Sequence, residues 1–149
     1  MEVLFICTGN TCRSPMAQAL LRKALAENDI KEVKVYSAGT FAIHGEEALA
    51  NGITAMKKKG INNSEHRSRR LSEQDLYNAD YVFVMDEHNY EYIEVKYPQY
   101  LGKTHMLSQY AGLGDTIPDP YHMEQSVYDS CADTLEQCID VIVKKLKNR

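Results

Sequence analysis

The chain has 149 residues, of which 44% are hydrophobic and 26% charged, and this is the size and composition of one ordinary globular domain. A formal net charge of −4 gives no reason to expect nucleic acid or an anionic membrane as a partner. No stretch approaches the ~20 apolar residues of a membrane span, and the N-terminal apolar run is too short for a signal peptide. We therefore expect a cytoplasmic protein with reduced cysteines, folded as a single domain over residues 1–149 and acting as a monomer.

Strand and helix patterns alternate along the chain, which favours a parallel sheet with helices on both faces. Four short apolar segments are predicted strands: Glu2–Cys7, Val33–Ser37, Tyr81–Met85 and Thr104–Leu107. The longest predicted helix runs from about Gln125 to Lys147. Cys131 and Cys138 share its apolar face but lie too far apart for a disulfide, so both are predicted to be buried as small hydrophobic residues.

The other helices are predicted from signals at their ends. Ser14, followed by a proline, is typical of an N-cap. A second helix is predicted from about Glu46 to a run of lysines, with Gly60 as its C-terminal glycine. Ser72 and Asp86 are predicted N-caps of two shorter helices.

The segment that joins the first strand to the first helix reads Cys7-Thr8-Gly9-Asn10-Thr11-Cys12-Arg13-Ser14. In open α/β sheets, ligands bind at the carboxyl ends of the strands, where a helix N-terminus offers free N–H groups to an anion. Gly9 and Asn10 tolerate the positive φ angles that let successive amides converge, and Arg13 adds a planar donor that matches phosphate oxygens. The same groups favour the nucleophilic thiolate form of Cys7. The pattern therefore predicts a phosphate-binding loop with Cys7 as nucleophile and residues 8–14 as the phosphate cradle.

The segment from Cys7 to Pro15 resembles the signature of the low-molecular-weight protein tyrosine phosphatases. Further segments agree in chain order: Ser37–Thr40, His66 with Arg69 and Leu71, Met85-Asp86 with Asn89, and Asp119-Pro120-Tyr121. The resemblance implies a three-layer α/β/α sandwich around a four-stranded parallel sheet. It also implies phosphorylated proteins as partners, a cysteinyl-phosphate intermediate, and neither metal nor cofactor.

The resemblance also assigns roles outside the loop. Asn10, Ser14, Ser37 and His66 would form the hydrogen-bond network that holds the loop open for phosphate. Gln18 stands where the family usually has glutamate, and because it lies beyond the loop it is not expected to affect the chemistry. The remaining histidines have no spacing that indicates a metal site.

Asp119 is the predicted general acid. It lies between two prolines at the end of the glycine- and proline-rich segment Gly112–Pro120, a long loop of the kind that often carries function. The residues alone would favour a turn at Asp-Pro, whereas the resemblance assigns to Asp119 the proton transfers of both chemical steps. Asp115 is the nearest competing carboxylate and lacks the Asp-Pro-Tyr context. Tyr121 in that context is a predicted substrate-binding residue.

Thr11 bears on the choice of substrate. Tyrosine-directed relatives usually carry an aliphatic side chain at this position, whereas threonine resembles the subgroup that hydrolyses phosphoarginine in proteins. A hydroxyl in the pocket wall suits a polar guanidinium better than a methylene does. Tyr121, which is common among tyrosine-directed relatives, favours the other substrate. Phosphoarginine is the expected substrate and phosphotyrosine the alternative.

Two other classes of function share part of this pattern. Arsenate reductases have a similar loop, but they need two further cysteines in the middle of the chain, and no cysteine lies between Arg13 and Cys131. A module that only binds phosphoproteins would not need Cys7, Arg13 and Asp119 together. Both are therefore disfavoured.

Overall fold

The computed structural model describes all 149 residues and contains one sheet of four parallel strands in the order β2-β1-β3-β4. The strands are β1 (Glu2–Cys7), β2 (Lys34–Gly39), β3 (Tyr81–Val84) and β4 (Thr104–Met106). Since β1 lies between β2 and β3, the chain leaves β1 at the point where the strand order reverses. Ligand sites of open α/β sheets are usually found at such a point.

Six α-helices cover the two faces of the sheet. They are α1 (Arg13–Glu27), α2 (Ala50–Lys58), α3 (Glu73–Asn78), α4 (Glu87–Lys96), α5 (Leu107–Tyr110) and α6 (Gln125–Lys147), and a 3₁₀ turn over Pro98–Lys103 precedes β4. Alternate residues of β1 enter opposite cores. Val3 and Phe5 pack with α1, α2 and α6, whereas Leu4 and Ile6 pack with α3 and α4. The predicted three-layer α/β/α sandwich is confirmed, and burial on both faces explains why β1 reads as a continuous apolar run.

Several predictions from local signals are confirmed. Helix α6 has its predicted bounds, and both of its cysteines are buried. Ser72 caps α3 in a reciprocal capping box with Asp75, and the Asp86 side chain accepts a hydrogen bond from the Asn89 amide at the start of α4. Gly60 follows α2 with a φ of 79°, as its capping role requires. None of the helices combines the length and the apolar character needed to cross a membrane.

The predicted N-cap role of Ser14 is wrong. Helix α1 begins at Arg13, and Cys12 occupies the cap position without any side-chain capping bond. The Ser14 hydroxyl is instead buried, 2.9 Å from both Cys7 Sγ and Asn10 Nδ2. The hydroxyl therefore bonds to buried groups of the preceding loop and not to an amide of the helix.

The predicted start of α2 is also wrong, because the helix begins at Ala50 and not near Glu46. Glu46 is bonded through both its N–H and its C=O to Ser68, and Glu47 forms an isolated bridge with Arg67. These contacts hold the segment in an extended course beside residues 67–68, so the helix can begin only beyond them.

Candidate active site

The loop after β1 offers a row of free amides beside a thiol. Cys7 ends β1, and its side chain lines a cavity at the carboxyl edge of the sheet. The backbone N–H groups of residues 8–12 donate to no other group of the protein. Helix α1 begins immediately afterwards, so the positive end of its dipole adds to the same field. Free amides and a helix N-terminus around one thiol form a site for an anion.

Ser14 is the direct hydrogen-bond partner of the thiol. Its Oγ lies 2.9 Å from Cys7 Sγ, and it accepts a hydrogen bond from Asn10 Nδ2 at 2.9 Å. Because the amide occupies an acceptor site of the hydroxyl, the hydroxyl proton is free to point at the sulfur. Ser14 is thereby placed to stabilise a thiolate at Cys7.

Asn10 braces the loop from inside. Its φ is 55°, a left-handed conformation that asparagine adopts more readily than most residues. The side chain is fully buried and donates to Ser14 and to Ser37 Oγ at 3.0 Å, while its Oδ1 accepts from the Arg69 amide at 3.0 Å. Loss of this amide would remove all three hydrogen bonds and leave the Arg69 N–H without a partner, at about 1–3 kcal/mol for that group.

His66 supports the same turn from outside. Its Nε2 lies 2.7 Å from the Asn10 carbonyl oxygen, and since a carbonyl can only accept, Nε2 carries the proton. Burial lowers the pKa of His66, and Arg22 and Arg67 lower it further, against the hydrogen bond to Asn10. His66 is therefore neutral near pH 7 and contacts the loop backbone, while no hydrogen bond joins it to Cys7.

Gln18 extends this network away from the loop. With its amide oriented so that both ends have partners, its nitrogen donates to Ser37 Oγ at 2.5 Å and its oxygen accepts from Arg22 Nη2 at 2.7 Å. Although Gln18 follows the loop in sequence, it touches the serine that holds Asn10. This contact depends on the pairing of α1 with β2, and no local pattern indicates it.

Arg13 is an almost fully buried cation, with only 2% of its surface exposed. Its Nη1 donates to Asp86 Oδ2 at 2.7 Å and to the Ile117 carbonyl at 2.8 Å. Burial tends to lower the pKa of the guanidinium, but Cys7, Asp86 and Asp119 together raise it above its ordinary value. Arg13 is thus a fixed positive charge, because the Nη1 side of its guanidinium is bonded to Asp86 and to the Ile117 carbonyl.

Asp86 is a site residue that sequence reasoning missed, since only its capping role was predicted. One carboxylate oxygen caps α4, and the other binds Arg13. Its helix neighbour Asn89, 1% exposed, donates to Thr8 Oγ1 at 3.2 Å. The available signal was the position of Asp86 and Asn89 just after a buried strand, the edge at which parallel strands present ligand-binding groups.

Asp119 lines the same cavity as the loop and lies close to Arg13. Its Oδ2 is 3.7 Å from Arg13 Nη2, and its Oδ1 accepts a hydrogen bond from the Tyr121 amide at 3.1 Å. The loop is anchored just before it, because the buried Ile117 donates to the Met85 carbonyl. Asp115, in contrast, does not line the cavity.

Most of the predicted loop residues and the predicted acid meet in one cavity of about 330 Å³, whereas Asn10 and Ser14 do not line it. It is lined by residues of the loop, by Asp119 and Tyr121, and by the segment after β2: Cys7, Thr8, Gly9, Thr11, Cys12, Arg13, Phe41, Ile43, Glu46, Leu49, Asp119 and Tyr121. The Thr11 hydroxyl forms no hydrogen bond within the protein. Phe41 and Tyr121 are 63% and 53% exposed and flank the entrance. Ser37 and His66 lie behind the loop, outside the cavity.

Cys12 has a different environment from that expected of a reactive sulfur. Burial, together with the nearby Cys131 and Cys7, raises the pKa of the Cys12 thiol far above its ordinary value. Burial likewise raises the pKa of Cys131 to about 12. Both sulfurs are therefore neutral at physiological pH and pack as apolar groups. No cluster of three or more His, Cys, Asp or Glu side chains could hold a metal ion.

Gly39 is the point at which β2 touches the loop, and we expect that Gly39→Ala will damage the site. A Cβ at this position would lie 2.5 Å from the Thr8 carbonyl oxygen and 2.9 Å from the Asn10 nitrogen. Both are backbone atoms of the loop, so the loop must move. We expect kcat/KM to fall at least about tenfold and stability to fall by about 1–3 kcal/mol, the usual cost of overpacking.

Gly102→Ala is the matched control, because a Cβ there meets no atom within 4 Å. Steady-state kinetics and thermal melting of the two variants provide the measurement. Unchanged kinetics in Gly39→Ala would mean that the loop tolerates displacement and that its geometry is not tightly set by β2.

Comparison with known proteins places this arrangement in a family. The family model for the low molecular weight phosphotyrosine protein phosphatases matches residues 2–149. A protein-arginine-phosphatase of Geobacillus stearothermophilus is 38% identical over 147 residues, which are 98% of this chain and 96% of that protein.

Two solved structures superpose on the chain with a TM-score of 0.92 each. One is the YwlE arginine phosphatase, a cysteine-to-serine mutant with phosphorylated active-site serine, at 34% identity over 99% of this chain and 96% of that chain. The other is a low molecular weight protein tyrosine phosphatase from T. tengcongensis, at 38% identity over 97% of this chain and 99% of that chain. Such matches over nearly the full length show that the chain belongs to the low molecular weight phosphotyrosine protein phosphatase family.

Proposed function

We propose that this protein phosphatase acts on phosphoarginine in proteins, with Cys7 as nucleophile, Arg13 and the amides of residues 8–12 as phosphate clamp, and Asp119 as general acid and base. The observation that carries the proposal is the meeting of free amides, a fixed guanidinium, a thiol and a carboxyl group in one cavity. Each group meets a separate demand of phosphoryl transfer: binding, attack, charge stabilisation and proton transfer.

The first chemical step forms a bond between Cys7 Sγ and phosphorus and breaks the bond from phosphorus to the substrate nitrogen. Asp119 gives its proton to that nitrogen, so the side chain leaves as neutral or cationic guanidine and not as an anion. The loop amides and Arg13 stabilise the three equatorial oxygens throughout. The product of this step is a cysteinyl phosphate.

The second step returns the enzyme to its starting state. The Asp119 carboxylate accepts a proton from water as the water oxygen attacks phosphorus. The bond from phosphorus to sulfur breaks, inorganic phosphate leaves, and Cys7 recovers its thiolate. Ser14, at 2.9 Å from the sulfur, stabilises the departing thiolate by a hydrogen bond.

Thr11 supports phosphoarginine as the substrate. Its hydroxyl has no partner within the protein and lines the cavity, so it is available to a polar leaving group. The two exposed rings at the entrance, Phe41 and Tyr121, favour the alternative, since an aromatic phosphate ester could stack between them. The relatives include phosphatases named for each substrate, so overall similarity does not separate the two.

Thr11→Ile provides a test of the substrate. We expect it to depress phosphoarginine turnover and to spare or raise phosphotyrosine turnover, because it replaces a hydroxyl by an apolar surface. Loss of one polar contact costs about 1–3 kcal/mol, which is about 5- to 150-fold in the ratio of kcat/KM for the two substrates. The measurement compares peptides of one sequence that carry either phosphoarginine or phosphotyrosine.

The wild-type ratio tests the proposed function itself. Preference for phosphotyrosine by the wild type, with a ratio unchanged in Thr11→Ile, would establish the alternative substrate. It would also mean that Thr11 contributes only to packing.

We further propose that residues 1–149 act as one domain and as a monomer in the cytoplasm. All four cysteines are free thiols, which persist in a reducing compartment. Three of the large exposed apolar side chains, those of Phe41, Ile43 and Tyr121, line the cavity, where a substrate would cover them. Light scattering of the purified protein and cell fractionation test these two assignments.

A further inference from the structure

One wall of the active-site cavity is formed by residues of the segment 41–49, which is tied to the phosphate loop at both ends. The Phe41 amide donates to the Thr8 carbonyl at 3.0 Å, and the Leu49 amide donates to the Thr11 carbonyl at 2.9 Å. Movement of this wall would therefore disturb the loop itself. Side chains that it presents to the cavity have backbones with a fixed position relative to Cys7.

Ser68 holds the middle of the wall. It is 1% exposed, and its carbonyl accepts from the Gly45 amide at 2.7 Å. Its Oγ accepts from the Glu46 amide at 2.9 Å, and its own amide donates to the Glu46 carbonyl at 2.8 Å. The backbone of Glu46 is thus bonded on both sides, although its side chain is exposed to solvent.

Glu46 is one of the residues that line the cavity, and its carboxylate forms no ion pair. Its neighbour Glu47 differs on both counts, since it pairs with Arg67 at 3.6 Å and lies outside the cavity. The one cation of the cavity is Arg13, which is already bonded to Asp86 at 2.7 Å and lies 3.7 Å from Asp119. Glu46 is therefore a negative charge without a counter-ion at the entrance to an anion site.

An unpaired carboxylate repels the phosphate that this cavity is built to bind. A positive charge next to the phosphate of the substrate would offset this repulsion by its attraction to the carboxylate. A phosphorylated arginine side chain carries such a charge, because its guanidinium group follows directly on the phosphate. A phosphotyrosine side chain offers only an uncharged ring at that distance.

We propose that Glu46 is a specificity-determining residue that binds the guanidinium of the phosphoarginine substrate. The inference rests on the proposed function and extends it by naming a second recognition group besides Thr11. Guanidinium and carboxylate match in shape and charge and form paired hydrogen bonds. At the entrance, Glu46 meets the part of the guanidinium that faces away from Cys7, while Asp119 serves the nitrogen that leaves.

Glu46→Gln is the test, with Glu47→Gln as the matched control. The substrates are phosphoarginine and phosphotyrosine with acetylated N-termini and amidated C-termini, so no flanking side chain contributes. We expect Glu46→Gln to lower the kcat/KM ratio of phosphoarginine over phosphotyrosine about 5- to 50-fold, below the full range for charged hydrogen bonds because the side chain is exposed. The change should lie mainly in KM for phosphoarginine, since a contact made equally in ground and transition states alters binding.

Charge should govern the effect. Phosphotyrosine kcat/KM should rise in Glu46→Gln, because a repelling charge is gone, and the difference between wild type and variant should shrink as salt is raised. Glu46→Asp should recover part of the phosphoarginine preference, while Glu47→Gln should leave the ratio as in the wild type. Thermal melting confirms that each variant is folded.

Three outcomes would overturn the inference. A wild type that prefers phosphoarginine, with an unchanged ratio in Glu46→Gln, would remove Glu46 from recognition and leave the proposed function intact. An equal loss for both substrates would mean that Glu46 only supports the wall. A wild type without phosphoarginine activity would refute the proposed function first and this inference with it.

Discussion

Replacing Cys7 by serine is expected to lower kcat at least about 10⁴-fold for every phosphorylated substrate, the scale seen when a covalent nucleophile is removed. A serine hydroxyl in the same place is neutral and a far weaker nucleophile at pH 7. The free amides of residues 8–12 and the Arg13 guanidinium are not altered by this change. Binding of inorganic phosphate, measured by calorimetry, should therefore persist.

The assay of this variant must count turnovers beyond the first. In the YwlE mutant the active-site serine is phosphorylated, so a serine can hold the transferred group in that relative. Cys138→Ala is a suitable control, because Cys138 is fully buried in α6, away from the cavity, and its loss should cost stability without removing activity. Sustained turnover by Cys7→Ser above about 1% of wild type would contradict the assignment of the nucleophile.

Asp119→Asn is expected to lower kcat about 10²- to 10⁴-fold for phosphoarginine, the usual contribution of general acid catalysis. Asparagine keeps an oxygen that can accept from the Tyr121 amide, so the loop should retain its shape. The loss should be smaller for p-nitrophenyl phosphate, whose leaving group is stable without a proton. It should be large for phosphoarginine, because an unprotonated guanidine nitrogen is a poor leaving group.

Asp115→Asn is the control for this substitution. Asp115 lies in the same loop but outside the cavity, and its backbone carbonyl, not its carboxylate, accepts from Gln109. Its kinetics should match those of the wild type for both substrates. If Asp115→Asn were the damaging change and Asp119→Asn the mild one, the general acid would have been misassigned.

The parts of the fold that the sequence predicts depend on short-range interactions. A buried parallel strand reads as a continuous apolar run, and a capping residue bonds an amide only three positions away, so β1 and the caps at Ser72 and Asp86 were predictable. The core of the site is local for the same reason. Cys7 and Arg13 lie six residues apart around one turn, and their spacing alone indicates an anion-binding loop with a thiol.

Where a residue had more than one possible hydrogen-bond partner, the folded structure decided which bond formed. Ser14 has a good capping sequence, yet its hydroxyl bonds to Cys7 and Asn10, because those groups are buried and would lose more without a partner than an exposed amide does. The sequence near Glu46 is compatible with a helix, but this segment pairs with Arg67 and Ser68, and α2 therefore begins only at Ala50. Local sequence patterns thus indicate several possible caps and helix starts, and burial of polar groups decides which of them form.

By itself, the sequence determined the alternation of strands and helices, and it predicted both the phosphate loop and a general acid in a proline-flanked loop. Only the strand order β2-β1-β3-β4 decided which groups surround that loop. It brings Ser37 of β2 to one side of the loop and Asp86, which follows β3, to the other side. Both residues lie more than 20 positions from the loop in the chain. Strand order and register arise from burial of both sheet faces and are not encoded in any single segment. For this reason, the contact of Asp86 with Arg13 and the unpaired charge of Glu46 became visible only in three dimensions.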